Sequence, residues 1–192
     1  MKAPAPKPFV PVHFAVLAVS DSRTLKDDRS GALLSERIVA ANHVLAHRAL
    51  VTDDAGKIRK IVKRWLKDKK IDVILTTGGT GFTGRDVTPE AIEPLFDKRM
   101  DGFAAVFHRI SYDNIGTSTI QSRATAGLAK GKFVFCLPGS TGACKDAWDN
   151  ILVRQFDYRQ EPCNFVEIMP RLDEHLKRAK LQKRTKKAAA TA

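Results

Sequence analysis

Short apolar runs ending in polar or glycine-rich loops alternate along this chain with longer stretches whose apolar residues recur every three or four positions. That alternation is the strongest constraint on the fold, because parallel strands must be joined by crossovers long enough to hold a helix. Residues 14–20 (FAVLAVS), 44–51 (VLAHRALV), 71–77 (IDVILTT) and 132–137 (KFVFCL) read as strands. Between the first two, residues 31–42 carry Leu34, Ile38 and Ala41 on one side of a helix. Ile58, Ile61, Val62, Trp65 and Leu66 fall at i, i+3, i+4, i+7 and i+8 of a second helix, the clearest in the chain. Cys144, Ala147, Trp148, Ile151 and Leu152 repeat the spacing, with Ser140 or Thr141 as N-cap. Two further helices are expected within residues 89–110, broken near Asp101-Gly102, and another within 119–129. The order is that of an α/β protein, three-layer α/β/α with a mainly parallel sheet.

A chain of 192 residues suits one domain, here residues 12–174. Residues 1–11 (MKAPAPKPFVP) read as a disordered or extended arm and 175–192 as a basic C-terminal tail. There is no apolar run of about eighteen residues for a membrane span and no apolar core of a secretory signal near Met1. The three cysteines are odd in number and form no CxxC pair, which argues against a disulfide framework and a zinc site and for a reducing cytoplasm. More than half of the formal charge of +12 comes from seven Lys and Arg residues after Glu174. No aromatic residue interleaves them, so a solvated tail is favoured over a nucleic-acid tether.

Ligands of parallel sheets bind beyond the carboxyl ends of the strands. Those ends here run into SDSR at 20–23, Thr52-Asp53-Asp54, TTGGTGFTGRD at 76–86 and PGSTG at 138–142. Gly78, Gly79, Gly81 and Gly84 are expected to turn with positive φ and to offer amides to an oxyanion. Thr88-Pro89-Glu90 reads as N-cap, N1 and N2 of a helix whose positive end adds to that preference. A ligand-free turn is the plainer alternative, but four glycines around Thr80, Thr83 and Asp86 exceed what a turn requires.

Gly79, Gly81 and Gly84 spell GxGxxG, yet they follow the third strand and Asp86-Val87-Thr88-Pro89 delays the helix, so a nicotinamide site does not fit. Arg85-Asp86 stands where a P-loop requires Lys-Ser/Thr. Asp86 would repel a polyphosphate unless a cation lay between them, which points to Mg²⁺ held with Asp53. The alternatives are structural: Asp53 or Asp54 caps the helix after it, and Asp86 pairs with Arg85 or ties down its loop.

LTTGGTGFTGRDVTPE, with VSDSR before it and IGTSTIQSR and LPGST after it, resembles the molybdopterin-binding family, which includes molybdopterin adenylyltransferases and the G domain of gephyrin. The resemblance covers residues 12–171, and the ending around Pro162-Cys163-Asn164-Phe165 is similar to the family's B branch. It implies a molybdopterin-binding fold, a homo-oligomer (trimer or hexamer), and Mg²⁺-dependent adenylyl transfer from ATP to the terminal phosphate of molybdopterin. The alternative for the B branch is a protein that binds molybdopterin without reacting it. By resemblance, Asp53 and Asp86 are the catalytic and metal-binding acids, and Ser20, Asp21, Gly78, Gly79, Thr80, Gly81, Thr88 and Gly139 hold substrate and nucleotide. Ser122 and Ser140 fall on the pterin side.

Overall fold

The central strands form because both of their faces are covered. In the computed structural model, which describes residues 7–174 and 178, β1 (His13–Val19) sends Phe14 and Val16 into one core and Ala15, Leu17 and Val19 into another. β3 (Val73–Thr77) and β6 (Lys132–Leu137) alternate in the same way, Val73, Leu75, Phe133 and Phe135 opposing Ile74, Val134 and Cys136. A strand buried on both faces needs a continuous apolar run, and this is what these segments supply.

The six-stranded sheet has the order β2-β1-β3-β6-β5-β4. β2 (Val44–Val51), β1, β3 and β6 are parallel, so their carboxyl ends share one edge. Leu34 and Ile38 of α1 (Arg29–Ala40), Phe103 and Phe107 of α4 (Asp101–Ile115) and Cys144 and Ala147 of α5 (Thr141–Ala147) complete the first core. Ile58, Val62 and Trp65 of α2 (Ala55–Trp65) with Ala91 and Ile92 of α3 (Thr88–Ile92) complete the second. The three layers match the sequence expectation. α5 runs on through a π-helical turn, Trp148–Leu152, into α6 (Val153–Gln155), and α7 (Phe165–Ile168) is capped by Asn164.

Two segments depart from the sequence reading. Within residues 89–110 the helices are separated before Asp101-Gly102, which open α4, and the intervening residues include a short strand, Lys98–Arg99. Residues 119–129 were expected to be helical but form the end of a 3-10 turn, Gly116–Gln121, and then β5 (Thr125–Ala129), which runs antiparallel to β6. The hairpin turn is Lys130-Gly131, both left-handed at φ 51° and 75°, and this dipeptide was the overlooked signal. β4 (Lys98–Arg99) adds a short antiparallel edge beyond β5. Gly127 makes that edge possible, since a Cβ there would lie 2.5 Å from the Phe96 ring.

Of the expected arm, residues 7–11 have no regular structure: Lys7 meets Glu161 at 2.6 Å and the Phe9 ring lies 5.2 Å from that of His43. Residues 1–6, and the expected tail apart from Arg178, lie outside the described residues. Among the described residues no helix is long and apolar enough to cross a membrane.

Phe156 closes the first core, fully buried and with its ring centroid 5.1 to 6.0 Å from those of Phe14, Phe165, Phe133 and Phe135. Truncation there empties a rigid aromatic site. Phe156→Ala should lower the unfolding free energy by about 3–5 kcal/mol in urea denaturation; a loss below about 1 kcal/mol would mean the cluster collapses to fill the space.

Candidate active site

The site is built where β3 leaves the sheet between its two neighbours. Gly78 and Gly79 take φ of 103° and 63°, and a Cβ on Gly78 would come within 2.2 Å of the Val19 carbonyl oxygen. Only glycine can pass this close to the end of β1. Gly81 and Gly84 are not left-handed, so the expected positive φ at all four glycines holds at two. Thr88 is also placed differently. It is the first residue of α3 rather than its N-cap, which is Val87, because its hydroxyl donates to the Gly78 carbonyl at 2.8 Å while its amide donates to that of Gly79 at 2.9 Å. Thr88 therefore braces the glycine turn from behind.

In front of the turn lies a cavity of about 260 Å³. Ser20, Asp21, Asp53, Gly78, Gly79, Asp86 and Gly139, all singled out from sequence, line it. Thr80, Gly81, Thr88, Ser122 and Ser140 do not. Thr80 is buried with its hydroxyl 3.4 Å from that of Ser122, and Ser140 caps α5 by accepting from Ala143 N at 3.2 Å. Arg23, Ser30 and Arg85 line the cavity without having been assigned a role. Ser30 donates to the Gly139 carbonyl at 2.8 Å, a link across 109 positions that leaves no local signature in sequence. Arg48 pins the opposite wall by donating to Asp28, which also caps α1.

The structural alternatives for the acids divide between them. Asp54, not Asp53, caps α2, accepting from Lys57 N at 2.7 Å, so Asp53 is free to face the cavity. Its own amide donates to Asp21 at 3.0 Å. Asp86 does tie down its loop, accepting from the amide and the hydroxyl of Thr83 at 2.9 and 2.6 Å. Arg85 lies 3.7 Å from Asp21 rather than on Asp86.

Arg123 holds the loop from outside. It donates to the carbonyls of Gly81 and Asp86, each at 2.8 Å, pairs with the Glu90 carboxylate, and lies over the Phe82 ring at 5.5 Å. Only the quoted run IQSR pointed towards it.

Burial, then the charges of Asp21 and Asp86, push the Asp53 carboxyl above the usual range, while the Thr83 hydroxyl holds Asp86 below it. The cavity thus gathers more negative charge than it neutralises. Among the described residues no three Asp, Glu, His or Cys side chains form a closed metal cage. Mg²⁺ does not require one, since it is held by one or two carboxylates with water and phosphate completing the shell. Asp53 and Asp86 line one cavity and offer a donor set of that kind, so their chemistry fits such a cation.

Residues 15–158 match the family model described as a probable molybdopterin binding domain. The chain is 45% identical over 157 residues to molybdenum cofactor biosynthesis protein B of Escherichia coli K12, covering 82% of this chain and 92% of that one. It is 41% identical over 150 residues to the protein of the same name from Staphylococcus aureus strain COL, covering 77% and 89%. A crystal structure of molybdenum cofactor biosynthesis protein B superposes with TM-score 0.77 at 37% identity, covering 89% of this chain and 99% of that one. The tungsten cofactor synthesizing protein MoaB of Pyrococcus furiosus gives 0.68 at 36% identity, covering 80% and 95%.

A carboxyl whose folded pKa is raised contributes stability that is present below its ordinary value of 3.8 and lost as pH rises through the folded value. Ionised Asp53 therefore weakens the fold at neutral pH. Asp53→Asn should melt above the wild type at pH 7, with the gap closing as pH falls towards 4; a lower melting temperature at pH 7 would contradict the charge reading.

Proposed function

The chain belongs to the molybdopterin-binding domain family, and from that premise we propose that it serves molybdenum cofactor biosynthesis by Mg²⁺-dependent adenylyl transfer from ATP to the terminal phosphate of molybdopterin. The observation that carries this reading is the meeting of Asp53, Asp86 and Asp21, from three different strand ends, in one cavity beside the Gly78-Gly79 turn. A bond forms between an oxygen of the terminal phosphate and the α-phosphorus of ATP, the bond from that phosphorus to its bridging oxygen breaks, and pyrophosphate leaves. Such a reaction depends on positioning and charge neutralisation rather than on a protein nucleophile. Bound Mg²⁺ would supply that neutralisation.

Asp53 and Asp86 would hold the cation, the Gly78-Gly79 turn would bring backbone against a phosphate, and Arg23 and Arg85 would add positive charge at the rim. Asp21 would fix two of these parts, through the Asp53 amide and the Arg85 guanidinium. Burial pushes the thiols of Cys136 and Cys144 up to about 12 and about 11, which supports a reaction without a thiolate. We propose a reducing cytoplasm as the compartment, on the odd number of cysteines and the lack of a CxxC pair.

A second reading is a protein that binds molybdopterin without reacting it. It is favoured by the engagement of Asp86 Oδ2 with the amide and hydroxyl of Thr83, which gives that carboxylate a structural role in its own loop.

We also propose self-association, as a trimer or hexamer. Tyr112, Ile115 and Ile120, at 56%, 55% and 71% exposure, leave an apolar surface on α4 and the turn that follows it.

With ATP, molybdopterin and magnesium, the wild type should release pyrophosphate, and Asp53→Asn and Asp86→Asn should each slow release at least about a hundredfold while remaining folded. Equal release by all three would remove the enzymatic reading. Tight pterin binding without ATP binding would establish the second. Light scattering should give a mass of several 21.2 kDa chains, falling towards one chain when Tyr112 and Ile115 are both changed to Glu; a wild-type mass of one chain would refute self-association.

A further inference from the structure

α2 buries Ile58, Val62 and Trp65 and turns a cationic face outward. Lys60, Lys63, Arg64 and Lys67 are all exposed, and none of their side chains makes an ion pair or hydrogen bond among the described residues. The neighbouring acids are already engaged. Asp54 caps the helix, Asp68 is held by His47 and the Lys70 amide, and Glu90 pairs with Arg123. Like charges at i, i+3 and i, i+4 repel, and burying the opposite face of the helix does not require them. Arg59 differs, since it donates to the carbonyls of Glu90 and Ala91 and fixes α2 to α3.

A shallow groove of about 530 Å³ follows this face, lined by Gly56, Arg59, Lys60, Lys63, Arg64 and Lys67. Its walls are mostly apolar although every side chain lining it is basic, as expected where aliphatic stems lie along a surface and hold their charges at the rim. Gly56 adds no side chain, so the groove stays open at the first turn of the helix.

We propose that this groove docks an acidic amphipathic segment of a partner protein, with apolar side chains along the floor and carboxylates on the rim. Complementarity of charge and surface selects this occupant. A nucleic-acid backbone offers sugars and phosphates rather than apolar side chains to the floor, and the face of α2 offers no exposed aromatic to a base: Trp65 is buried and stacks with His47 at 6.0 Å. A second copy presenting the same face would bring the same cations, and the chain's own seven-cation tail is repelled likewise. The Gly56 and Arg59 end of the groove adjoins Asp53, Asp54 and Glu90, so a docked partner sits beside the mouth of the cavity, placed to deliver a ligand or receive a product. This surface does not depend on which reaction the cavity performs.

The test is fluorescence anisotropy on the full chain with three labelled probes of matched charge: a leucine-containing acidic amphipathic peptide, polyglutamate and a DNA duplex. The peptide should bind most tightly, and the combined Lys60→Glu, Arg64→Glu, Lys67→Glu variant should weaken it at least about tenfold. Lys60→Arg with Lys67→Arg should retain binding. Hydrogen exchange should show peptide-dependent protection of residues 55–67. Unchanged peptide affinity in the charge-reversed variant overturns the proposal, and so does duplex or polyglutamate binding as tight as the peptide's and lost to the same extent. Pyrophosphate release by the same variant reports separately on the cavity.

Discussion

The end of β3 passes against the end of β1 with no room for a side chain between them. With no side chain at Gly78, the chain passes the Val19 carbonyl where a Cβ would stand at 2.2 Å, and the Gly78 amide reaches the Leu137 carbonyl of β6 on the other side. Three parallel strand ends are thereby drawn together, and the loops that follow them must share one small space. Thr88 secures the turn from within, while Arg123 secures the outer part of the loop by its contacts to Gly81, Asp86 and Glu90. The glycines do not make this loop flexible; they let it be held in a shape that other residues could not adopt.

That crowding sets the electrostatics of the cavity. Asp21, Asp53 and Asp86 arrive on separate loops, and burial, then the charges of the other two, raises the Asp53 carboxyl. Each of the other two is restrained by hydrogen bonds, Asp21 to the Asp53 amide and Asp86 to Thr83. An anionic ligand entering such a space needs a counter-cation, and a divalent ion shared between phosphate and carboxylate meets both demands. The outward face of α2 has the opposite imbalance, a surplus of cations unpaired among the described residues and close to an acidic cavity. The two surfaces differ in sign, and the partners proposed for them differ accordingly: a metal-accompanied phosphate for one and a carboxylate-bearing segment for the other.

Much of this was legible in the amino-acid sequence. Continuous apolar runs specify strands buried on both faces, and the spacing of Ile58, Val62 and Trp65 admits one helix. The order of these segments fixes a mainly parallel sheet, and with it the edge where the loops SDSR, TTGGTGFTGRD and PGSTG gather. β5 was hidden because TAGLA carries no helical or strand period of its own and becomes a strand by pairing with β6 around Lys130-Gly131.

The residues of the site divide in the same way. Asp53, Asp86 and the paired glycines were visible because their chemistry is local to a loop at a strand end. Which of two adjacent acids caps α2, that Thr88 faces inward to a carbonyl, and that Ser30 and Arg123 reach across 109 and 42 positions to their partners were decided by packing alone. Sequence determines where the backbone must be strand, helix or glycine turn, since those preferences act over a few residues. Which side chains face the cavity depends on distances between segments remote in the chain, and only the assembled sheet sets these.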